Sequence, residues 1–267
     1  MKKKSERKNR KTTTEGLRKL NIVVALLYAI QGVAILSIAD STKGLVAITT
    51  NFLGLDKLSS STEKVFVPAT RHLFDVNIAY IVVGFLLVAA VAHLLFASRL
   101  RKTYETGLKE NVNKSRWVEY SITESLVLVS IALIVGVYDL SSLILIIVLT
   151  IVMNMIGLIG ELSAKISKQS SWLNYFIGVK AGLGPWIVLA IYLWGALMYG
   201  NGLPKFVYWV YGSMFILSSM YAYAMYMNLK KRLRWSNYLN NERFYILLGF
   251  VIKSALAWQI FAGLLRK

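Results

Sequence analysis

Long apolar runs, parted by short polar breaks, leave this chain few folds to choose from. A helix of about 20 such residues, rising about 1.5 Å per residue, spans the roughly 30 Å hydrocarbon core of a bilayer. The runs cover residues 20–39, 75–98, 116–137, 141–160, 173–199, 204–229 and 243–265. They predict an all-α integral membrane protein, a bundle of seven transmembrane helices. The least obvious break is Tyr138-Asp139-Leu140-Ser141-Ser142, the only polar interruption in a run too long for one span. Asn201-Gly202-Leu203-Pro204 is a turn by its residue types. Composition agrees: 56% of residues are hydrophobic and 16% charged, against about 45–50% and about 25% in soluble domains.

The distribution of positive charge sets a direction. Net charge is +18, yet Lys and Arg lie at the ends of apolar runs and no nucleic-acid motif accompanies them. Nucleic acid is therefore excluded as a partner, and membrane anchoring explains the charge. Of the 31 Lys and Arg residues, 22 fall on one side of the seven predicted spans and seven on the other, with Lys180 and Lys253 inside spans. The richer side is cytoplasmic. The N-terminus is thus expected inside and the C-terminus outside, in the cell membrane. Residues 1–19 form a basic cytoplasmic tail, and residues 20–267 form one membrane domain. The first apolar run is too long for a signal peptide and no small-residue cleavage site follows it, so it is read as a retained span. The exterior segment 40–74 contains alternating stretches such as Lys64-Val65-Phe66-Val67, which predict a small β-hairpin. There is no cysteine, so disulfides and thiolate metal sites are excluded.

Ionisable groups inside a bilayer are costly and mark function. Lys253 lies ten residues past Arg243, about 15 Å deep by helical rise. A lysine at that depth pairs with a carboxylate or is chemically modified. Desolvation favours its neutral amine, the form that condenses with an aldehyde to a Schiff base. Glu119 and Glu124 are the candidate anions. Five residues apart, they stand about 140° around a helix and are not expected to share a face. Either could serve, depending on where the helix begins. The plain structural reading of Glu119 is an interfacial carboxylate near Arg116. His93 lies near the cytoplasmic end of the second span, at about the depth of Glu119, where it is a packing histidine or part of a proton relay. Lys180 is shallow enough to snorkel.

Lys253-Ser254-Ala255-Leu256-Ala257-Trp258-Gln259-Ile260-Phe261-Ala262-Gly263 resembles the retinal-lysine segment of the heliorhodopsins, and Arg116-Trp117-Val118-Glu119-Tyr120-Ser121 resembles their counterion segment. Supporting matches are Leu20-Asn21, Gln31-Gly32, Ala92-His93-Leu94-Leu95, Pro185-Trp186 and Phe206-Val207-Tyr208. The resemblance implies all-trans retinal on Lys253, Glu119 as counterion, His93 in a cytoplasmic-side polar network, and a homodimer in the bilayer. It also implies the inverted orientation that the charge count gives independently. A polyene needs apolar walls, for which Trp117, Met153, Met155, Trp186, Phe215 and Trp258 are candidates. Three departures from the family pattern stand out: Tyr28 replaces a histidine, Gly249 replaces a serine one turn before the lysine, and Glu124 interrupts a serine-rich run.

The function implied is photoreception: light turns all-trans retinal to 13-cis and drives a slow cycle with a sensory output, without ion pumping or enzymatic activity. The rivals are a light-driven or light-gated proton transporter that uses Glu124, and a chromophore-free membrane scaffold or enzyme. An epitope at the N-terminus is expected to be protected from antibody in intact cells and one at the C-terminus accessible; the reverse labelling would refute the charge argument and the resemblance together.

Overall fold

The computed structural model describes residues 12–40, 42–55, 65–167, 172–231 and 233–266. Among them are eight α-helices and one hairpin: α1 (Thr14–Ile38), β1 (Leu45–Leu55), β2 (Phe66–Asn77), α2 (Ile78–Ala97), α3 (Arg101–Lys109), α4 (Lys114–Val135), α5 (Leu140–Ser167), α6 (Trp172–Tyr199), α7 (Lys205–Leu229) and α8 (Tyr238–Ile260). A π-helical turn, Phe261–Leu265, continues α8. The basic residues at 1–11, together with Lys57, Lys64, Lys168, Arg232 and Lys267, lie outside the residues described or carry no described side chain.

Caps carry several helices beyond the apolar runs. Thr13 accepts from the Gly16 amide, so α1 starts at Thr14 rather than at 20. Asn237 accepts from the Leu239 amide, so α8 starts at Tyr238 rather than 243. Such side chains satisfy amides that the first turn leaves open. Asn113 does the same for Arg116 at the start of α4. The break between the third and fourth runs is real. Gly136 ends α4 in the left-handed region at φ 105°, where a side chain is penalised. Asp139 then accepts from both the Ser142 amide and hydroxyl, at 2.9 and 3.1 Å.

Among the described residues, six helices are long and apolar enough to cross a membrane: α1, α2, α4, α5, α6 and α8 through its π turn. The helix α7 covers the sixth predicted run and has 25 residues. Five tyrosines and three serines, among them Tyr221 and Ser218, make it too polar to qualify by composition. Outward faces are apolar: α1 exposes Val23, Leu26, Ile30 and Val33, and α6 exposes Ile187, Ile191 and Trp194. An apolar outer surface of this kind belongs in lipid. The helix α4 is the centre of the bundle. Its most apolar stretch is 83% buried, against 28% for α5 and α6. Its hydroxyls turn back on its own backbone, Ser121 to the Trp117 carbonyl at 2.8 Å and Ser125 to that of Ser121 at 2.7 Å, so they enter the core satisfied.

The hairpin between α1 and α2 is longer than a small turn. Strands of 11 and 12 residues pair antiparallel from Leu45↔Asn77 to Leu55↔Phe66, with a register shift at Ile48/Thr49. Asp75, expected in the second span, is in β2. The hairpin is tied to the α4–α5 connection. The Thr49 amide donates to the Tyr138 carbonyl at 3.0 Å, and the Asn51 amide to Asp139 Oδ1 at 3.3 Å. Asp139 therefore holds the start of α5 and the hairpin together. Asp139→Ala is expected to destabilise the protein by about 1–2 kcal/mol, the range for loss of a helix N-cap, as a lower midpoint in thermal unfolding; an unchanged midpoint would contradict that role.

Candidate functional site

The helices α4 and α8 place one cation between two anions at the centre of the bundle. Lys253 is fully buried, and Glu119 and Glu124 are 4% and 5% exposed. Lys253 Nζ lies 3.1 Å from Glu124 Oε1 and 3.4 Å from Glu119 Oε1. The ring of Tyr120 covers the amine at 4.8 Å. The two glutamates do not occupy separate faces in effect: the amine enters between them, and each side chain bridges part of the arc. Each carboxylate has a second donor. Thr123 Oγ1 shares its proton between Glu119 Oε1 at 2.9 Å and the Glu119 carbonyl at 3.0 Å, and Tyr221 Oη of α7 donates to Glu124 Oε1 at 3.2 Å. A buried charge needs such partners, because an unpaired one in low dielectric costs several kcal/mol. Arg116, the neighbour expected for Glu119, turns elsewhere.

Gly249 explains how the phenols come so close. A Cβ there would sit 3.1 Å from Tyr120 Oη, 3.3 Å from Tyr221 Oη and 3.5 Å from Lys253 Nζ. The hydroxyl that a serine would supply is absent, and two phenolic hydroxyls stand around that position. Tyr120 is fixed by donating to the Tyr245 carbonyl at 2.7 Å.

Beside this cluster is a cavity of about 140 Å³. Trp117, Met153, Trp186 and Phe215 line it, as four of the predicted wall residues, with Glu124, Tyr221, Asn154 and Thr150 among its polar members. Trp186 and Phe215 meet edge to face at 5.3 Å. Trp258 does not line it. Five residues past Lys253, roughly 140° around the helix, it is 39% exposed and donates to Gln31 Oε1 at 3.0 Å. Glu119, His93 and Gly249 also lie off the cavity wall. Met155, the other methionine, is off it too. An elongated apolar molecule with one electrophilic end fits these residues: aromatic and thioether walls, and a carboxylate that leads to the amine. A Cβ on Gly178 or Gly182 would meet Ile156 or Met153 of α5, so these glycines let α6 pack closely on α5.

His93 belongs to a second, larger polar system. Its Nδ1 is 2.6 Å from Asn21 Oδ1. Asn21 Nδ2 donates to Tyr104 Oη at 3.4 Å, and Tyr104 Oη donates to Glu242 Oε1 at 2.9 Å. Burial, and then the Glu242 carboxylate, push the Tyr104 hydroxyl's pKa up, so it stays a donor. Arg116 donates to both Glu242 and Glu161 and stacks under Tyr245 at 4.2 Å. Asn113, Trp117 and Tyr238 add donors to the same carboxylates at 2.8, 2.9 and 3.0 Å. Trp117 thus lines the cavity with its ring and holds Glu161 with its indole N–H. Glu161 and Glu242 escape a sequence reading because each sits at the end of an apolar run and looks like a solvated loop charge. Their signal is scarcity, with 13 acids against 31 bases. Tyr28, at the departure noted in α1, is fully buried against His93 and Phe250 at 5.8 and 5.4 Å, and its hydroxyl and that of Ser254 have no hydrogen-bond partner among the described residues.

Comparison with known proteins follows the same lines. A family model described as Heliorhodopsin matches residues 17–265. No curated protein sequence matches the chain. Among solved structures, a light-driven proton pump from Leptosphaeria maculans is similar with a TM-score of 0.64 at 15% identity, over 92% of this chain and 94% of that one. The light-driven proton pump rhodopsin of Coccomyxa subellipsoidea has a TM-score of 0.61 at 18% identity, over 93% and 97%. A cyanorhodopsin from Tolypothrix sp. NIES-4075 has 0.59 at 13%, over 94% and 93%. At these identities the likeness is one of fold.

The Arg116 cluster is an ion network at the N-terminal end of α4, and removing its cation strands the buried Glu242 and the largely buried Glu161. Arg116→Ala is expected to cost about 3–5 kcal/mol, whereas Arg18→Ala, which breaks a half-exposed pair with Glu15, costs under about 1 kcal/mol. Thermal unfolding in detergent checks both, and equal losses would contradict the assignment of Arg116 as a buried structural cation.

Proposed function

The chain belongs to the heliorhodopsin family, whose members are light-sensing retinal proteins in membranes, and from that premise we propose that Lys253 carries the chromophore and Glu119 is its counterion. The observation that carries the reading is the fully buried amine between two carboxylates, next to an apolar, aromatic-walled cavity. Retinal would supply a conjugated polyene aldehyde whose protonated Schiff base absorbs visible light and isomerises, in this reading from all-trans to 13-cis. The protein's residues do the rest. Trp117, Met153, Trp186 and Phe215 shape the cavity and exclude water. Lys253 forms the covalent link, and Glu119, held by Thr123, balances the positive charge. His93 contributes through the network that leads by Asn21 and Tyr104 to Glu242. A change in the cavity reaches the cytoplasmic end through Trp117, which touches both systems.

The output in this reading is sensory, without ion pumping and without enzymatic activity. The bundle has seven membrane spans, with α7 as the seventh: Tyr211 and Tyr221 turn inward to the Trp186 carbonyl and to Glu124, where polar groups are supported. The N-terminus is cytoplasmic and the C-terminus exterior, in the cell membrane. The chain acts as a homodimer. The hairpin, which exposes Phe52, Leu53 and Phe66, supplies apolar surface for a second copy. One observation favours a second reading: Glu124, a carboxylate with its own contact to Lys253 and a tyrosine partner on another helix, suits proton transfer. That reading makes the protein a light-driven or light-gated proton transporter.

Lys253→Ala expressed with retinal is expected to lose the visible absorption band entirely, and Glu119→Gln to shift it strongly or abolish it at neutral pH. A photocurrent from wild type in planar bilayers would decide for transport over sensing. A visible band that survives in Lys253→Ala would overturn the assignment, and the absence of any band in wild type with retinal would favour a chromophore-free scaffold.

A further inference from the structure

The cluster at Lys253 holds one cation and two anions, and attaching an aldehyde changes how many hydrogen bonds the cation can give. As an ammonium, Lys253 has three N–H donors, enough to serve both Glu119 at 3.4 Å and Glu124 at 3.1 Å. Condensation forms a C=N bond between Nζ and the aldehyde carbon and breaks the C=O bond. The oxygen leaves as water with two of the three ammonium hydrogens, and the positive charge stays on nitrogen. A single N–H remains for two carboxylates. One of them loses its donor while the cluster keeps an excess negative charge in a medium of low dielectric. Two like charges so close do not both stay ionised cheaply.

The two glutamates are not equivalent. Glu124 lines the apolar cavity and Glu119 does not, so a polyene in the cavity desolvates Glu124 first. Glu119 keeps the Thr123 hydroxyl at 2.9 Å. The other partner of Glu124 is Tyr221 Oη at 3.2 Å, a phenol that accepts as readily as it donates. The remaining ionisable groups around the cluster are Tyr120 on α4, Tyr245 on α8, Tyr28 on α1 and His93 on α2.

We propose that Glu124 is a proton-storage site that fills when the chromophore is attached, and that Tyr221 of α7 is the residue that positions it. The proposal rests on the reading of Lys253 as the retinal anchor. The stored proton lies beside the nitrogen and is held by a different helix from the one that carries the lysine, so relative movement of α7 and α8 changes its hold. It gives the Glu124 departure a defined role: a reserve proton at the chromophore, available to either a sensory or a transporting cycle.

The test is the proton balance of pigment formation. Retinal is added to the apoprotein in lightly buffered detergent near neutral pH with an indicator dye, and the visible band certifies pigment in each sample. Wild type is expected to take up about one proton per pigment, and its pigment-minus-apoprotein infrared spectrum to gain a carboxylic-acid carbonyl band. Glu124→Gln forms pigment without uptake and without that band. Tyr221→Phe keeps the uptake but shifts the carbonyl band, because its hydrogen bond is gone; a merely structural tyrosine would leave the band in place. If Glu124→Gln does not fold, Glu124→Ser is read in its stead. Pigment without uptake in wild type, or uptake that persists in the Glu124 variant, overturns the proposal alone. A wild type that forms no visible band overturns the retinal reading on which it rests.

Discussion

A lysine with no exposed surface, held between two glutamates, is the interaction around which the bundle is organised. In low dielectric the desolvation of three charged groups is recovered only if each finds partners in good geometry. The surroundings meet that demand from four directions. Thr123 serves Glu119 from the same helix, Tyr221 serves Glu124 from α7, Tyr120 covers the amine, and Gly249 clears room for both phenols. An amine that survives folding in this way is also protected from water and from competing lysines. Burial and pairing thus prepare one nitrogen for selective chemistry.

The helix α4 transmits this arrangement. It carries Arg116, Trp117, Glu119, Tyr120, Thr123 and Glu124, and its central position lets it contact the cavity on one side and the Arg116 charge network on the other. Arg116 with Glu161 and Glu242 pins α4 to α5 and α8. Trp117 stands between the two systems, its ring against the cavity and its N–H on Glu161. A Cβ on Gly157 would collide with that ring, so the indole lies flat against α5. The site and the network meet at Trp117 and again at Tyr245, whose ring stacks on Arg116 and lines the cavity.

Much of this was legible from the order of residues, for physical reasons. Bilayer thickness imposes a length on apolar runs, which located the helices to within a cap. The helix ends moved because Thr13 and Asn237 nucleate turns in polar sequence that hydropathy alone passes over. The sixth run, α7, is the weak one by composition because it carries five tyrosines and three serines, of which Tyr211 and Tyr221 find partners on other helices. The hairpin was visible by alternation, but its full length depends on pairing between distant residues and on the tie to Asp139. Lys253 stood out because a buried lysine is rare, and so did the glutamates. That both reach the same nitrogen was not legible, since it depends on where α8 places Lys253 against α4. Trp258 turns to Gln31 rather than to the cavity, a choice its sequence position leaves open because an aromatic in a span can face either way. Glu161 and Glu242 were missed because a charge at a span end looks solvated until another helix covers it.

The most direct test of the account is the identity of the modified residue. The purified protein is reconstituted with retinal, the linkage is trapped by borohydride reduction, and the digested chain is mapped by mass spectrometry. The account predicts a single retinyl adduct on the peptide that contains Lys253. An adduct on Lys180 or on a surface lysine instead, or no adduct in a sample with a visible band, would contradict it.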